Sequence, residues 1–205
     1  GALPIRQIAA GRPETMTFKD IPQIKPNYLQ IAKEAVSLIQ ENDVIYIPST
    51  TLGLFMVKNL PEHLKIKVVT NSILIADELR TLTDVSVIIL GGEMDNKGNC
   101  CDTIAVETVK RLRLDKCFIT SACISASFGL SIQSTPYISF FNALIDSSRL
   151  TIGLYPKEKI GFDSIVSICP ANRLNTLITD WDSSEQDLSL FDKLGIKVIV
   201  VDNPE

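Results

Sequence analysis

Apolar residues recur at helical spacing through Tyr28, Ile31, Ala32, Ala35, Leu38 and Ile39, which predicts an amphipathic helix over Asn27–Gln40. Asn42-Asp43 breaks that period. Val44 to Ile47 is then a short apolar run of β-branched and aromatic residues between turn formers, the signature of a buried strand. Pro48 ends it, because proline has no N–H to give to a sheet ladder. A helix over Leu52–Lys58, a turn at Pro61, a strand over Ile66–Val69, a helix over Ile73–Leu82 and a strand over Val85–Leu90 follow. Further on, the pattern predicts helices over Asp102–Leu112, Pro136–Ser148 and Ser184–Leu194. It predicts strands over Lys116–Thr120, Leu150–Leu154, Thr176–Thr179 and Lys197–Val201. Ser121 to Gly129 reads as a loop, and Ile165 to Ile168 as a short strand or a turn.

Short strands alternating with helices require crossover connections, hence a mainly parallel sheet with helices on both faces. In such a sheet the turns after the first three strands share the carboxyl edge, where open α/β sheets bind ligands. Those turns are Ser49-Thr50-Thr51, Thr70-Asn71-Ser72 and Gly91-Gly92-Glu93. The first joins a strand to a helix start, so free backbone N–H groups, the helix dipole and three hydroxyls converge there. That pattern suits an anion such as a phosphate. Each signal also has a plain structural reading: hydroxyls cap helices, Asn71-Ser72 caps the next one, and two glycines make a turn.

Composition narrows the choice. The chain has 205 residues, a net charge of −4 and 45% hydrophobic residues, which describes an ordinary globular protein with a substantial core. An acidic surface repels nucleic acid, and no apolar run approaches a membrane span. Five cysteines without ligand-like spacing fit a reducing cytoplasm, and one histidine argues against a zinc site or a Ser–His or Cys–His catalytic pair. Cys117 and Cys169 read as small core residues and His63 as a solvated loop residue. There is no Walker-type glycine loop with lysine, so nothing calls for a nucleotide triphosphate, a metal or another cofactor. Gly1 to Pro26 carries four prolines and no period, and is expected to be a linker or arm before a domain spanning residues 27–205.

Several motifs, taken together in order, resemble the C-terminal effector-sensing domain of the DeoR family of bacterial transcription repressors. They are Ser49-Thr50-Thr51, Val68-Val69-Thr70-Asn71-Ser72, Leu90-Gly91-Gly92, Asp115-Lys116-Cys117-Phe118-Ile119, Lys159 with Gly161, and Leu177-Ile178-Thr179-Asp180. The resemblance runs from about Asn27 to Asp180. It implies the fold of ribose-5-phosphate isomerase and coenzyme A transferase, and a phosphorylated sugar or similar metabolite as ligand. It also implies a homo-oligomer, dimer or tetramer, and DNA contact only through an N-terminal winged helix-turn-helix outside this sequence. Carried onto this chain, the ligand contacts are Ser49, Thr50, Thr51, Asn71, Gly91, Gly92 and Lys159, with Lys159 adding a point charge.

The chain departs from that family pattern in places. Pro48 stands where a glycine is usual, Pro156 where an aspartate is usual, and Tyr137 near a usual acid. Cys101-Asp102 and Ser121 replace expected glycines. Two other classes therefore stay open. An isomerase or deaminase would need a general base, for which Glu93 and Asp102 are the acids at the sheet edge. A domain that only assembles subunits would leave the pocket empty.

Overall fold

The amino-terminal helix begins on a proline, where a missing N–H costs nothing. This is α1 (Pro26–Ser37), and it buries Ile31, Ala32, Ala35 and Val36. The computed structural model describes residues 25–204. The expected linker therefore lies outside the described residues except for Lys25 and Pro26. Helix α1 stops short of the predicted Gln40. The Gln40 N–H goes instead to the Asp43 carboxylate at 2.7 Å, and Asn42 turns the chain with a φ of 68°.

Three strand–helix units follow: β1 (Val44–Tyr46), α2 (Thr51–Lys58), β2 (Ile66–Thr70), α3 (Ile73–Leu79), β3 (Val85–Ile89) and α4 (Thr103–Lys110). Next come β4 (Leu114–Ile119), β5 (Cys123–Ser125), β6 (Gly129–Ile132), α5 (Ile138–Asp146) and β7 (Ser148–Leu154). The chain closes with β8 (Val166–Cys169), β9 (Thr176–Thr179), α6 (Glu185–Lys193) and β10 (Lys197–Val200).

Seven strands form one sheet in the order β10-β9-β7-β4-β1-β2-β3, and every neighbouring pair is parallel. Alternate strand residues feed two separate cores. Ile45, Val68, Phe118 and Ile152 pack with Ile31, Phe55 and Ile75 of the first three helices. Tyr46, Val69, Cys117 and Leu177 pack with Val109, Phe140 and Phe191 of the last three. The parallel sheet covered on both faces agrees with the expectation from the alternating pattern. Cys117 and Cys169 are buried as expected, and His63 is exposed.

The differences have local causes. The segment read as a loop, Ser121 to Gly129, contains β5, which pairs antiparallel with β6. Strand β6 pairs in turn with β8 to make a separate three-stranded sheet. A run of only three residues, Cys123-Ile124-Ser125, carries too little period to announce a strand. Pro136 opens a 3-10 turn, Thr135–Tyr137, and α5 begins only at Ile138. Ser148 belongs to β7 rather than to the preceding helix, pairing with Leu114 of β4, which itself starts two residues before the predicted Lys116.

Beneath the sheet centre, Lys116 of β4 is ion-paired with Asp43, and each side chain is only 10% exposed. Among the described residues no helix is long and apolar enough to cross a membrane.

Candidate functional site

Strands β1 and β4 are neighbours, yet their chains leave the sheet towards opposite faces. The chain after β1 enters α2, which packs with the first core; the chain after β4 continues towards α5, which packs with the second. Such a switch point opens a crevice at the carboxyl edge. At that edge, directly after β1, lies the Ser49-Thr50-Thr51 turn, all three residues half-buried. Thr50 is the N-cap of α2, its hydroxyl accepting from the Gly53 N–H at 3.3 Å. The turn is tight. A Cβ on Gly53 would fall 1.9 Å from the Pro48 carbonyl oxygen, so the helix approaches the strand end as only glycine allows.

Lys159 belongs to the neighbouring strand end, that of β4. Its ammonium donates to the Ser121 carbonyl at 3.0 Å and the Thr120 hydroxyl at 3.3 Å, at the end of β4. Ser121 is itself fixed, sharing a hydrogen bond of 2.7 Å with the hydroxyl of Tyr155. Burial pushes the Tyr155 phenol well above its ordinary value, so it stays neutral. Thr120 and Ser121, which hold Lys159, and Tyr155, which holds Ser121, were not among the expected site residues. The carboxyl-edge argument applied to the fourth strand would have found the first two.

Asn71 is placed at the end of β2, but its side chain is occupied. It is 2% exposed, accepts from the Tyr46 hydroxyl at 2.8 Å, and donates to the Cys101 sulfur at 3.0 Å. It braces the site's wall. Gly91 is exposed with open space around it, whereas Gly92 has a φ of 139° and lies against Asp102. The Asp102 carboxylate accepts from Glu93 N–H at 3.0 Å and from Ala105 N–H at 3.1 Å. These backbone bonds, Glu93 foremost, hold its pKa below the usual carboxylate range. Asp102 thus supplies an anion of the protein's own at the start of α4.

Outside α4 lies a cavity of about 630 Å³, bordered by Glu93, Asp95, Asp102, Glu107, Cys101 and Tyr137. Its charged groups are mostly acidic, with Lys110 the exception, and Met94, Val106 and Pro136 add apolar wall. The Tyr137 hydroxyl reaches Asp95 at 3.2 Å. Burial pushes the Cys101 thiol up to about 12, against a smaller opposing effect of the Asn71 hydrogen bond. Among the described residues no group of three or more His, Cys, Asp or Glu side chains is placed to hold a metal ion.

The family model of the DeoR C-terminal sensor domain matches residues 27–181. The chain belongs to this family. Relatives of the DeoR sensor domain include the HTH-type transcriptional regulator GolR of Listeria innocua. It is 24% identical over 84% of this chain and 68% of its own length. The glycerol-3-phosphate regulon repressor of Haemophilus influenzae is 25% identical over 73% of this chain and 58% of its own length. These relatives are named as regulators of transcription, a role without catalysis, and the present chain spans about two thirds of such a protein or less. Among solved structures, ribose 5-phosphate isomerase A from Methanocaldococcus jannaschii aligns with 67% of this chain and 53% of its own length, at 13% identity and a TM-score of 0.46.

Proposed function

We propose that this DeoR sensor domain binds a phosphorylated sugar or a related small metabolite, and through it controls DNA binding by an N-terminal helix-turn-helix. The observation that supports this reading is the switch point between β1 and β4, with a hydroxyl-rich helix start after the first strand and the Lys159 ammonium at the end of the second. The phosphate sits on Ser49, Thr50 and Thr51, with Lys159 as its counter-charge. The exposed loop at Gly91-Gly92 borders the ligand, and Asn71 holds the wall between. A second phosphate at the start of α4 is opposed by Asp102, which already takes the Glu93 and Ala105 N–H groups. The acidic cavity beyond suits hydroxyls, since carboxylates accept hydrogen bonds from a polyol.

Charged hydrogen bonds of this kind contribute roughly 1.5–3 kcal/mol each, so three or four support micromolar binding after ordering costs. The name of the Haemophilus influenzae relative, with its phosphorylated metabolite, lends support. In this reading residues 1–26 link the sensor to the DNA reader, the protein works in the cytoplasm as a dimer or tetramer, and ligand binding shifts the packing between subunits.

Thermal unfolding with a panel of sugar phosphates tests the proposal. A ligand at a hundredfold excess over its Kd raises stability by about 2.7 kcal/mol. Thr50→Val and Lys159→Met should each abolish the rise. A panel that leaves the transition where it was, in the unsubstituted protein, overturns the reading.

A further inference from the structure

We infer that the short turn Lys157–Lys159 mechanically couples the candidate anion crevice to the root of α1, with Asp180 as the joint. The ligand-dependent half of this inference rests on the sensor reading above; the coupling itself does not.

The turn is a single 3-10 unit, closed by Lys159 N–H to the Pro156 carbonyl at 2.8 Å and Ile160 N–H to the Lys157 carbonyl at 3.1 Å. Its side chains and backbone face different duties, and the Lys157 side chain is ion-paired with Asp182. Lys159 reaches the end of β4 at the switch point. Glu158 pairs with Lys25 at 3.2 Å. The Lys157 N–H donates to one oxygen of Asp180 at 2.6 Å. The other oxygen of Asp180 accepts from the Asn27 side-chain amide at 3.1 Å, and the same amide donates more weakly to Glu158 at 3.5 Å, so Asn27 carries both links from the turn to α1. Asp180 follows β9 and is 1% exposed, so these bonds, and a longer one of 3.5 Å from the Thr179 hydroxyl, are made away from water.

Magnitudes decide which link matters. The Lys25–Glu158 pair has side chains 65% and 37% exposed, and an exposed pair of this kind transmits little. Asp180 is different. A buried carboxylate that loses either donor is left undersatisfied, so turn and helix root tend to move together. Asn27 lies in the first turn of α1, beside the Tyr28 and Leu29 N–H groups that donate to the Lys25 carbonyl at 3.1 and 3.3 Å. A ligand that draws Lys159 off Thr120 and Ser121 would strain the turn, and Asp180 would hand that strain to the first turn of α1. The same residues that sense charge are thereby tied to the place where the chain arrives from residues 1–24.

Hydrogen exchange at the Tyr28 and Leu29 amides reads this directly, in the 205-residue chain and first without ligand. Lys159→Met should speed their exchange about threefold or more, with β2 amides unchanged. In an Asn27→Ala background, which cuts the joint, the same substitution should add nothing further, as a double-mutant cycle requires. No effect of Lys159→Met on these amides, or the same added effect in both backgrounds, overturns the coupling. Inorganic phosphate then serves as the probe for the second half. The coupling requires phosphate to alter exchange at Tyr28 and Leu29 in the parent chain and not in Asn27→Ala, while it raises the Tm of both. A Tm rise with no change at those amides overturns the coupling and leaves the sensor reading intact. If neither phosphate nor any sugar phosphate raises the Tm, the sensor reading falls, and the ligand-free arm still decides the coupling.

Discussion

Gly53 lies so close to Pro48 that a Cβ added to it would stand 1.9 Å from the Pro48 carbonyl oxygen. The clash is with backbone, which cannot swing aside as a flexible side chain can. Gly53→Ala is therefore expected to push α2 away from the end of β1, at a cost of about 1–3 kcal/mol or more. Urea unfolding measures the cost. Because the displaced segment includes Ser49 to Thr51, any phosphate-induced Tm rise should vanish in the same variant.

The buried pair between Asp43 and Lys116 predicts a different pattern. Removing one partner with Lys116→Met strands the Asp43 carboxylate, at a cost of about 3–5 kcal/mol. Changing both, with Asp43→Asn and Lys116→Met together, should recover a large part of that loss. Denaturant titrations of the two single variants and the double variant form the cycle; additive losses would contradict the pairing.

Asp102 gives a dependence on pH. Its folded pKa is lowered by backbone N–H bonds from Glu93 and Ala105. The contribution is therefore present above the ordinary value of 3.8 and is lost as pH falls through the folded value. Stability should decline on acidification below about pH 4 with a slope that Asp102→Asn makes shallower. Thermal melts from pH 2.5 to pH 6 (about the carboxylate range) show whether the slope changes.

Cys101 borders the cavity, yet burial pushes its thiol up to about 12, and the thiolate is the reactive form. Iodoacetamide at pH 8 should label it far more slowly than a free cysteine. Asn71→Ala removes both the Cys101 bond and the partner of the buried Tyr46 hydroxyl, and should cost about 1–3 kcal/mol. Tyr46→Phe in that background should return part of it, as unfolding curves would show.

The parallel sheet was readable because its strands are short apolar runs separated by helical periods, as in Val44-Ile45-Tyr46-Ile47. The insertion of β4 beside β1 was not, since strand order depends on packing between residues far apart in the chain. Of the β5-β6-β8 sheet only the last strand was legible, as a short strand or turn over Ile165–Ile168; its pairing, Ser167 with Ser131, joins segments far apart in the chain. At the site, hydroxyls before a helix marked the Ser49–Thr51 turn. Asn71 shows the limit of that logic. A polar side chain at a sheet edge suggested a ligand contact, whereas Tyr46 and Cys101 take up its amide. Asp180 was visible as the end of a motif that closes a strand, and its bond to Asn27 was not, because that partner stands 153 positions away.

The sheet that divides the two cores also acts as a partition. Helix α1, where residues 1–24 join the domain, packs on one side of it; α4 and the acidic cavity lie on the other. Substitutions more than about 7–10 Å apart with no shared partners change stability almost independently. The chamber beyond α4 can thus be rebuilt for another guest molecule while the mounting of the domain stays as it is, which gives evolution and protein engineers alike a room to refurnish without touching the foundations.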